Sequence, residues 1–571
     1  MRKLFTVTLL FTACFIFNAA KAQTGWQWAI NSVHGNGEAW PIASDNMGHI
    51  YATGFGCTRI GADSLYGGLF VTKVDSAGNF IWSRGTKGAS ATDIGIATDV
   101  AGNVYVLAVY EYFTTALTVD TFTLSKFYNS AEYFLMKLTP DDSVVWAKNV
   151  TNNNGGPTYY YGGIGVDGAG NVYLTGVYNC AIDTVGDPSS SLILTNNSDI
   201  NNYDAFVAKY DTSGNAVWAK SFGGKKNDFT YAIAVSQKGN VFVAGQYASD
   251  TMAIGGTNLV NPLYASYDMS FVAEFDSSGN LDWAKNISRK IGLSGIKTDR
   301  YENIYLAGYV DSFNVIANDT LTCTGLKDVF IAKYTNTGTA VWATSAGGSY
   351  TDVANNIDVD TCGNIWVCGA MGGGALAPGV AYSMNFQGTT ISVPPSDVDP
   401  MFIAEYDNSG HYLTGRSLGG GGDDQSGIAL DGKGNLYLCG DYEDSSLVIG
   451  NDTFVLPHSF GSPEYLFIAK YNYSDGICVN TAGVTKVAMP APGINIYPNP
   501  ATYECTISSD IAFPAGAKAE IFDVTGRLAN TFGLSGNYAV FSVAGLAPGI
   551  YECRITASDR SVVVKKLVVM K

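Results

Sequence analysis

DAFVAKYDTSGNAVWAK, residues Asp204 to Lys220, holds two short apolar runs on either side of Asp211, Ser213, Gly214 and Asn215. Alternation of period two marks strands, and the Asp/Ser/Gly/Asn cluster marks a tight reversal, so the stretch predicts a β-hairpin. It returns as LFVTKVDSAGNFIWS (Leu69–Ser83), YFLMKLTPDDSVVWAK (Tyr133–Lys148), SFVAEFDSSGNLDWAK (Ser270–Lys285), DVFIAKYTNTGTAVWA (Asp328–Ala343), PMFIAEYDNSGHYLTG (Pro400–Gly415) and LFIAKYN (Leu466–Asn472). A Trp near the end sets the register at Trp82, Trp146, Trp218, Trp283 and Trp342. Trp28 lies in the N-terminal GWQWA, and Thr414 stands near that place in what reads as the seventh unit.

Before each copy stands a strand, an Asp-x-x-Gly-Asn turn and a second strand, as in DNMGHIYATG (Asp45–Gly54), DVAGNVYVLA (Asp99–Ala108), DGAGNVYLTG (Asp167–Gly176) and DTCGNIWVCG (Asp360–Gly369). An Asp that accepts hydrogen bonds from its own turn, with Gly at positive φ, is sufficient reason for such a hairpin. A calcium loop needs clustered carboxylates, which these turns lack. Two hairpins per unit make four strands. Seven units of roughly 55–70 residues suit a propeller whose blades bury both faces against their neighbours. The expected fold is all-β: a seven-bladed β-propeller of four-stranded blades, followed by a small C-terminal antiparallel β-sandwich. The repeats stop at a third strand and the mature chain starts on a fourth. The N-terminal strand is therefore expected to complete the last blade and remove an open edge.

The chain of 571 residues is 46% hydrophobic and 15% charged, with 66 glycines, a composition for turn-rich β structure with sizeable cores. MRKLFTVTLLFTACFIFNAAKAQ opens with Arg2 and Lys3, runs apolar, and ends in Ala20-Lys21-Ala22, which reads as a signal peptide over 1–22. No later stretch is apolar for long enough to form a transmembrane segment. The net charge of −17 argues against nucleic acid as a partner. Beyond Cys14 the cysteines stand at 57, 180, 323, 362, 368, 439, 478, 505 and 553, with no repeated CxxC or Cys/His metal spacing. Cys505 and Cys553 are a candidate pair. The His residues show neither a metal cluster nor a Ser/His/Asp assembly at local spacing, so no metal, cofactor or catalytic residue is assigned.

If strands run inner to outer in chain order, both short hairpin turns of a unit share one face, and the blade links and long insertions share the other. Variable loops on one rim of a rigid scaffold are where binding concentrates. Three links place Asp five residues after a Gly: Gly223 to Asp228, Gly347 to Asp352 and Gly419 to Asp424. These carboxylates either line the central channel or cap turns. Tyr159, Tyr160 and Tyr161 stand on the same rim near Asn152–Asn154, a mixture that suits a sugar ring. Asp183-Thr184-Val185, Asp250-Thr251-Met252 and Asp319-Thr320-Leu321 read as turn-into-strand elements and also resemble an O-glycosylation motif of exported Bacteroidetes-type proteins.

The repeats, with Asp-x-x-Gly-Asn-x-Tyr-x-x-Gly followed by Phe-x-Ala-Lys-Tyr-Asp and Trp-Ala-Lys, resemble the bacterial seven-bladed beta-propeller repeat family over about residues 25–475. That family implies a scaffold and no single activity. The propeller is set at 23–475 and a small, Pro-containing linker at 476–493. Residues 494–571 follow with their own strands, and they resemble the C-terminal sorting domain of the type IX secretion system. The carriers are Tyr497-Pro498-Asn499-Pro500, Asp523-Val-Thr-Gly526-Arg527, Leu546-Ala-Pro-Gly549-Ile-Tyr551 and Lys565-Lys566-Leu567. The resemblance implies passage through the periplasm, handling by the type IX machinery, and release or display at the outer cell surface. Function is read as a non-catalytic binding or adhesion module for a glycan or surface protein. The alternative is a propeller enzyme acting on extracellular polysaccharide.

Overall fold

The computed structural model describes residues 25–473 and 495–570, apart from 33, 39, 46, 61–62, 66–67, 89, 111–115, 126–130, 152–160, 187–191, 199–201, 263–267, 374–381, 394–399, 420–425, 443–445, 450–451, 456–464, 514–516, 524–527 and 557–561. The leader, the linker, Tyr159, Tyr160, Asp424 and Gly526 therefore lie outside the described residues. The chain separates into two compact units, Met1–Cys478 and Val479–Lys571.

The first unit is built of antiparallel sheets of propeller type, with no helix among the described residues. In chain order, the first sheet has its main path through His34–Glu38, Ile50–Ile60, Leu69–Val74 and Phe80–Gly85, and Ile42–Ser44 and Asp63–Leu65 also pair with Ile50–Ile60. The second runs through Ala91–Thr98, Val104–Tyr110, Glu132–Leu138 and Val144–Asn149, and the third through Gly163–Val166, Val172–Tyr178, Asp204–Tyr210 and Ala216–Phe222. The fourth holds Asp228–Val235, Val241–Tyr247, Met269–Phe275 and Leu281–Arg289, and the fifth Ile291–Thr298, Ile304–Val310, Asp328–Tyr334 and Ala340–Ala346. The sixth holds Thr351–Val359, Ile365–Gly373, Met401–Tyr406 and Tyr412–Leu418. Ser426–Leu430, Asn435–Tyr442 and Tyr465–Asn472 form the seventh with Gly25–Asn31, whose register runs from Gly25 opposite Asn472 to Asn31 opposite Phe467. Thr414 therefore lies on the sixth sheet, not the seventh, and the seventh takes its outer Trp from the start of the chain.

Apolar side chains on both faces of each sheet are removed from water by the neighbouring sheets, as the near-continuous apolar runs demand. One core joins Tyr105, Leu107 and Tyr133 of the second sheet to Leu174 and Phe206 of the third. Another joins Ile50, Ala52 and Phe70 of the first to Tyr437, Leu466 and Ile468 of the seventh. Polar pins repeat between these cores. Asp99 Oδ1 accepts the amides of Ala101 and Asn103, and its Oδ2 accepts from the Asn103 side chain and the Tyr105 hydroxyl at 2.7 and 3.0 Å. In the first sheet His49 takes the place of Asn, with Nδ1 2.8 Å from Asp45 Oδ2. Lys73, Lys137, Lys209, Lys333 and Lys470 lie over the tyrosine rings of their own sheets.

Each outer-strand Trp reaches into the next sheet. Trp28 Nε1 donates to Ser76 O, Trp82 to Pro140 O, Trp146 to Thr212 O, Trp218 to Ser277 O, Trp283 to Asn336 O and Trp342 to Asn408 O, all at 3.1–3.2 Å. Except at Trp82, whose turn has Asp142 at φ +71° in that place, the indole face rests on the turn glycine it reaches. A Cβ on Gly214, whose φ is +75°, would stand 2.8 Å from the Trp146 ring. Gly214→Ala combines left-handed strain with this clash and is expected to cost about 2–3 kcal/mol. Urea titration of the variant beside the parent checks that value.

The long insertions, expected as loops, hold regular structure. Two-stranded hairpins occupy Ala116–Val119/Phe122–Ser125, Ile182–Thr184/Ile193–Thr195, Thr251–Ile254/Thr257–Val260, Asn314–Ile316/Asp319–Leu321, Tyr382–Phe386/Thr389–Val393 and Ser446–Ile449/Asp452–Val455. Several bridge back to the preceding blade link, as Val185 does to Thr151 and Ala253 to Gly223. The three Asp-Thr-apolar triplets fall in or at the edges of these hairpin strands, with Asp319 accepting the Ala343 amide.

The second unit has a sheet of Asn495–Tyr497, Glu504–Phe513 and Gly536–Ser542. A second sheet is ordered Leu528–Gly533, Lys518–Phe522, Gly549–Thr556, Val562–Val569. Its core includes Cys505, Ile507, Ile521, Phe541, Cys553 and Leu567. Cys505 and Cys553 are both thiols there, so the candidate pair is not bonded.

Candidate functional site

The innermost strands of all seven sheets contribute to one cavity of about 410 Å³. Trp40–Ile42, Ile94–Ile96, Gly162–Ile164, Tyr231–Ile233, Leu293–Lys297, Asn355–Asn356, Ser426 and Ile428 line it. Glycines at 95, 162, 163 and 295 bring backbone close to the cavity wall. At Gly95 a Cβ would stand 3.0 Å from Ile164, and at Gly163 3.0 Å from Ile233. Isoleucine is the commonest of the other lining side chains, and Trp40 and Tyr231 are the aromatic ones. Lys297 is paired with Asp358 at 3.7 Å, and the buried Ser426 Oγ has no protein partner. No Asp or Glu stands among the described lining residues.

An aromatic cluster extends from this wall. Tyr161 meets Tyr231 edge to face at 4.9 Å and Phe229 at 5.2 Å, and Tyr203 lies 6.1 Å from Phe229. The sequence explains the placement: Tyr161 ends the link into the third sheet, and Phe229 and Tyr231 alternate along the inner strand of the fourth. Tyr161 is held by its carbonyl, which accepts the Tyr133 hydroxyl at 2.7 Å. The sequence singled out Tyr161 and missed its partners, because they stand in the next repeat.

Asp228 and Asp352 are fully buried. Asp228 accepts from the Gly224 amide at 2.6 Å and from the Ser249 amide and hydroxyl. Asp352 accepts from the amides of Gly348 and Gly372 and from Tyr382 Oη. Both carboxylates hold the link and insertion backbones rather than facing the cavity. Burial pushes Asp228 up to about 7 and Asp352 to about 6, against the pull of those donors. Burial likewise raises Asp93 to about 7 and Asp204 to about 6; neither is in the cavity lining. Among the described residues, no group of three or more His, Cys, Asp or Glu is placed to hold a metal ion.

In the second unit, the Tyr497-Pro498-Asn499-Pro500 segment is exposed and lies along the last strand. Asn499 donates to Lys566 O and accepts the Val568 amide, both at 2.7 Å. Gly549 opens the strand that carries Tyr551, whose hydroxyl donates to Ala547 O at 2.9 Å, and Lys565 and Lys566 are exposed. Three segments far apart in sequence are thus brought to one sheet and its flank.

Comparison with known proteins places these features. The chain is 25% identical over 247 residues to an uncharacterized WD repeat-containing protein, L264, of Acanthamoeba polyphaga mimivirus, covering 37% of this chain and 17% of that protein's length. A polysaccharide lyase, Uly1, shows a TM-score of 0.39 at 11% identity, over 79% of this chain and all of that one. PorZ, a surface component of the type IX secretion system of Porphyromonas gingivalis, shows a TM-score of 0.21 at 10% identity, over 95% of this chain and all of that one. No helix among the described residues is long and apolar enough to cross a membrane. Residues 495–570 match the family described as the secretion system C-terminal sorting domain. Behind its propeller-type repeats the chain thus ends in a type IX sorting domain, and it is a protein exported to the cell surface or secreted.

Proposed function

We propose that this exported chain is a seven-bladed propeller closed by its N-terminal strand, and that it serves as a non-catalytic binding module for a glycan or surface protein. One observation carries the binding reading: the cavity where seven inner strands converge is lined by glycine, isoleucine, amide and aromatic groups, with no carboxylate among its described lining residues. Glycoside cleavage by a carboxylate pair needs two acids beside the ligand. Here the carboxyl groups raised most by burial in the inner strands, Asp93, Asp228 and Asp352, are closed off between sheets. In this reading Asp228 and Asp352 shape the rim by holding Gly224 and Gly348, and Tyr231 and Tyr161 stand on the ligand side.

A glycan-array screen of the chain without its leader, with mass spectrometry of each bound glycan, tests this. Retention of intact glycan is expected. Tyr231→Ala is expected to weaken binding about tenfold, the loss of one aromatic contact of about 1–1.5 kcal/mol. Cleaved products would replace the module with an enzyme, and silence on the array would turn the search to surface proteins.

A further inference from the structure

Four of the inner strands break register at the same place. Asp93 and Gly95 stand opposite the consecutive residues Ala108 and Leu107 of the next strand, which leaves Ile94 as an extra residue. Tyr231 between Thr230 and Ala232, Ser294 between Leu293 and Gly295, and Asn355 between Ala354 and Asn356 are extra in the same way. A bulge of this kind takes one residue out of the ladder and re-aims its side chain. All four bulge residues line the central cavity. Each comes five residues before the turn residue of its own repeat, at Asp99, Ser236, Asp299 and Asp360. The repeat therefore fixes the position, while the residue placed there changes from sheet to sheet.

These changes are sorted around the wall. Trp40 holds the equivalent place in the first repeat, five residues ahead of Asp45. The first, second and fourth repeats thus present Trp40, Ile94 and Tyr231, and the fifth and sixth present Ser294 and Asn355. Ser294 is exposed, and its hydroxyl donates to Ala354 O of the sixth sheet, which keeps its oxygen lone pairs as acceptors. An Asn side chain offers both donors and an acceptor. Lys297, the charged member of the described lining, has its charge answered by Asp358. An apolar and aromatic side facing a hydroxyl and amide side complements a sugar ring, with its C–H face and its rim of hydroxyls. A volume of about 410 Å³ falls among small-molecule sites, roughly 300–1,000 Å³, and is too small for a folded protein surface. The chain's net charge of −17 opposes an anionic sugar.

We infer that the cavity takes an uncharged sugar unit of a glycan, and that the bulge residues are its specificity determinants. Trp40, Ile94 and Tyr231 pack on the C–H face, and Ser294 and Asn355 hydrogen-bond the hydroxyls. This rests on the binding reading above and narrows it, from a glycan or surface protein to a neutral saccharide held in the cavity. An epimer that turns a hydroxyl away from Asn355 leaves that amide without its ligand partner, whereas the apolar contacts are nearly indifferent to the change. Discrimination between epimers therefore belongs to the fifth and sixth sheets, and general affinity to the first, second and fourth.

Calorimetric titration of the chain without its leader, against neutral oligosaccharides, their epimers and uronate-containing oligosaccharides of the same length, tests this. Neutral oligosaccharides are expected to bind. Asn355→Ala and Ser294→Ala are each expected to lower affinity about tenfold and to narrow the preference between epimers. Ile94→Ala is expected to weaken all epimers alike, a uniform loss that separates packing from hydrogen-bond recognition. Tighter binding of uronates, or glycan binding that neither polar variant alters, would overturn this inference and leave the binding module standing. Silence for every saccharide would also overturn it and leave a protein partner. Cleavage of a neutral glycan that still depends on Asn355 would uphold the cavity assignment and remove the non-catalytic reading instead.

Discussion

Deletion of Gln23–Ala29 is expected to lower the melting temperature by roughly 5–8 °C and to leave a protein that self-associates. The strand it removes is an outer strand with two tryptophans. Trp28 donates to Ser76 O at 3.1 Å, lies over Gly78 and stands 6.0 Å from Tyr437, and Trp26 packs on Tyr471 at 5.2 Å. Half-burial of these two rings is worth about 2 kcal/mol each, and the junction with the first sheet loses its indole contact as well. At this chain length each kcal/mol moves Tm by about 1 °C, from an unfolding entropy of ~2.1 cal/mol/K per residue. The Tyr465–Asn472 strand would then be a bare edge, able to pair with a second copy. Calorimetry with light scattering reads both effects, and a synthetic peptide covering Gln23–Ser32 is expected to restore the melt. An unchanged Tm in a monodisperse deletion variant would refute closure by this strand.

The features that sequence discloses here are the ones each repeat states for itself. The turn Asp, its Asn or His, the Tyr and the outer Trp recur in phase, and each makes its bonds within its own sheet or with the adjacent turn. The order of strands is therefore legible, and Trp28 marks the N-terminal strand as an outer one. The insertion hairpins are not, because Thr251–Val260 and Tyr382–Val393 differ in length and in turn residues and share no repeat. The cavity is harder still, since each sheet contributes only a few residues to it and the sheets are some tens of residues apart. Whether Asp228 faces the cavity or the sheet interior depends on one step of alternation, which spacing after a glycine cannot fix. The sorting segments are legible in composition, yet the bracket of Asn499 on Lys566 and Val568 needs the fold.

Asp93→Asn is expected to stabilise the protein by up to about 4 kcal/mol at pH 8 and to change little at pH 4. Asp93 lies in the inner strand of the second sheet, 3% exposed, and neither carboxylate oxygen has a hydrogen-bond partner. Burial drives its pKa from 3.8 up to about 7. A carboxyl group with a raised folded pKa holds its proton more tightly in the native state. Its penalty is therefore absent below the unfolded value, grows as pH rises from about 4 to about 7, and is complete above that. At ~1.36 kcal/mol for each tenfold change in proton affinity, a rise of that size gives the figure of about 4 kcal/mol. Asp204, Asp228 and Asp352 titrate in the same direction, so the parent alone would show a composite slope. The difference between parent and Asp93→Asn in urea titrations at pH 4, 6 and 8 isolates the one group. A difference that is flat across that range would mean that Asp93 is charged and solvated in the native protein. A difference that opens upward with pH would identify a buried acid as the principal brake on stability at neutral pH, placed one residue from the cavity-lining Ile94.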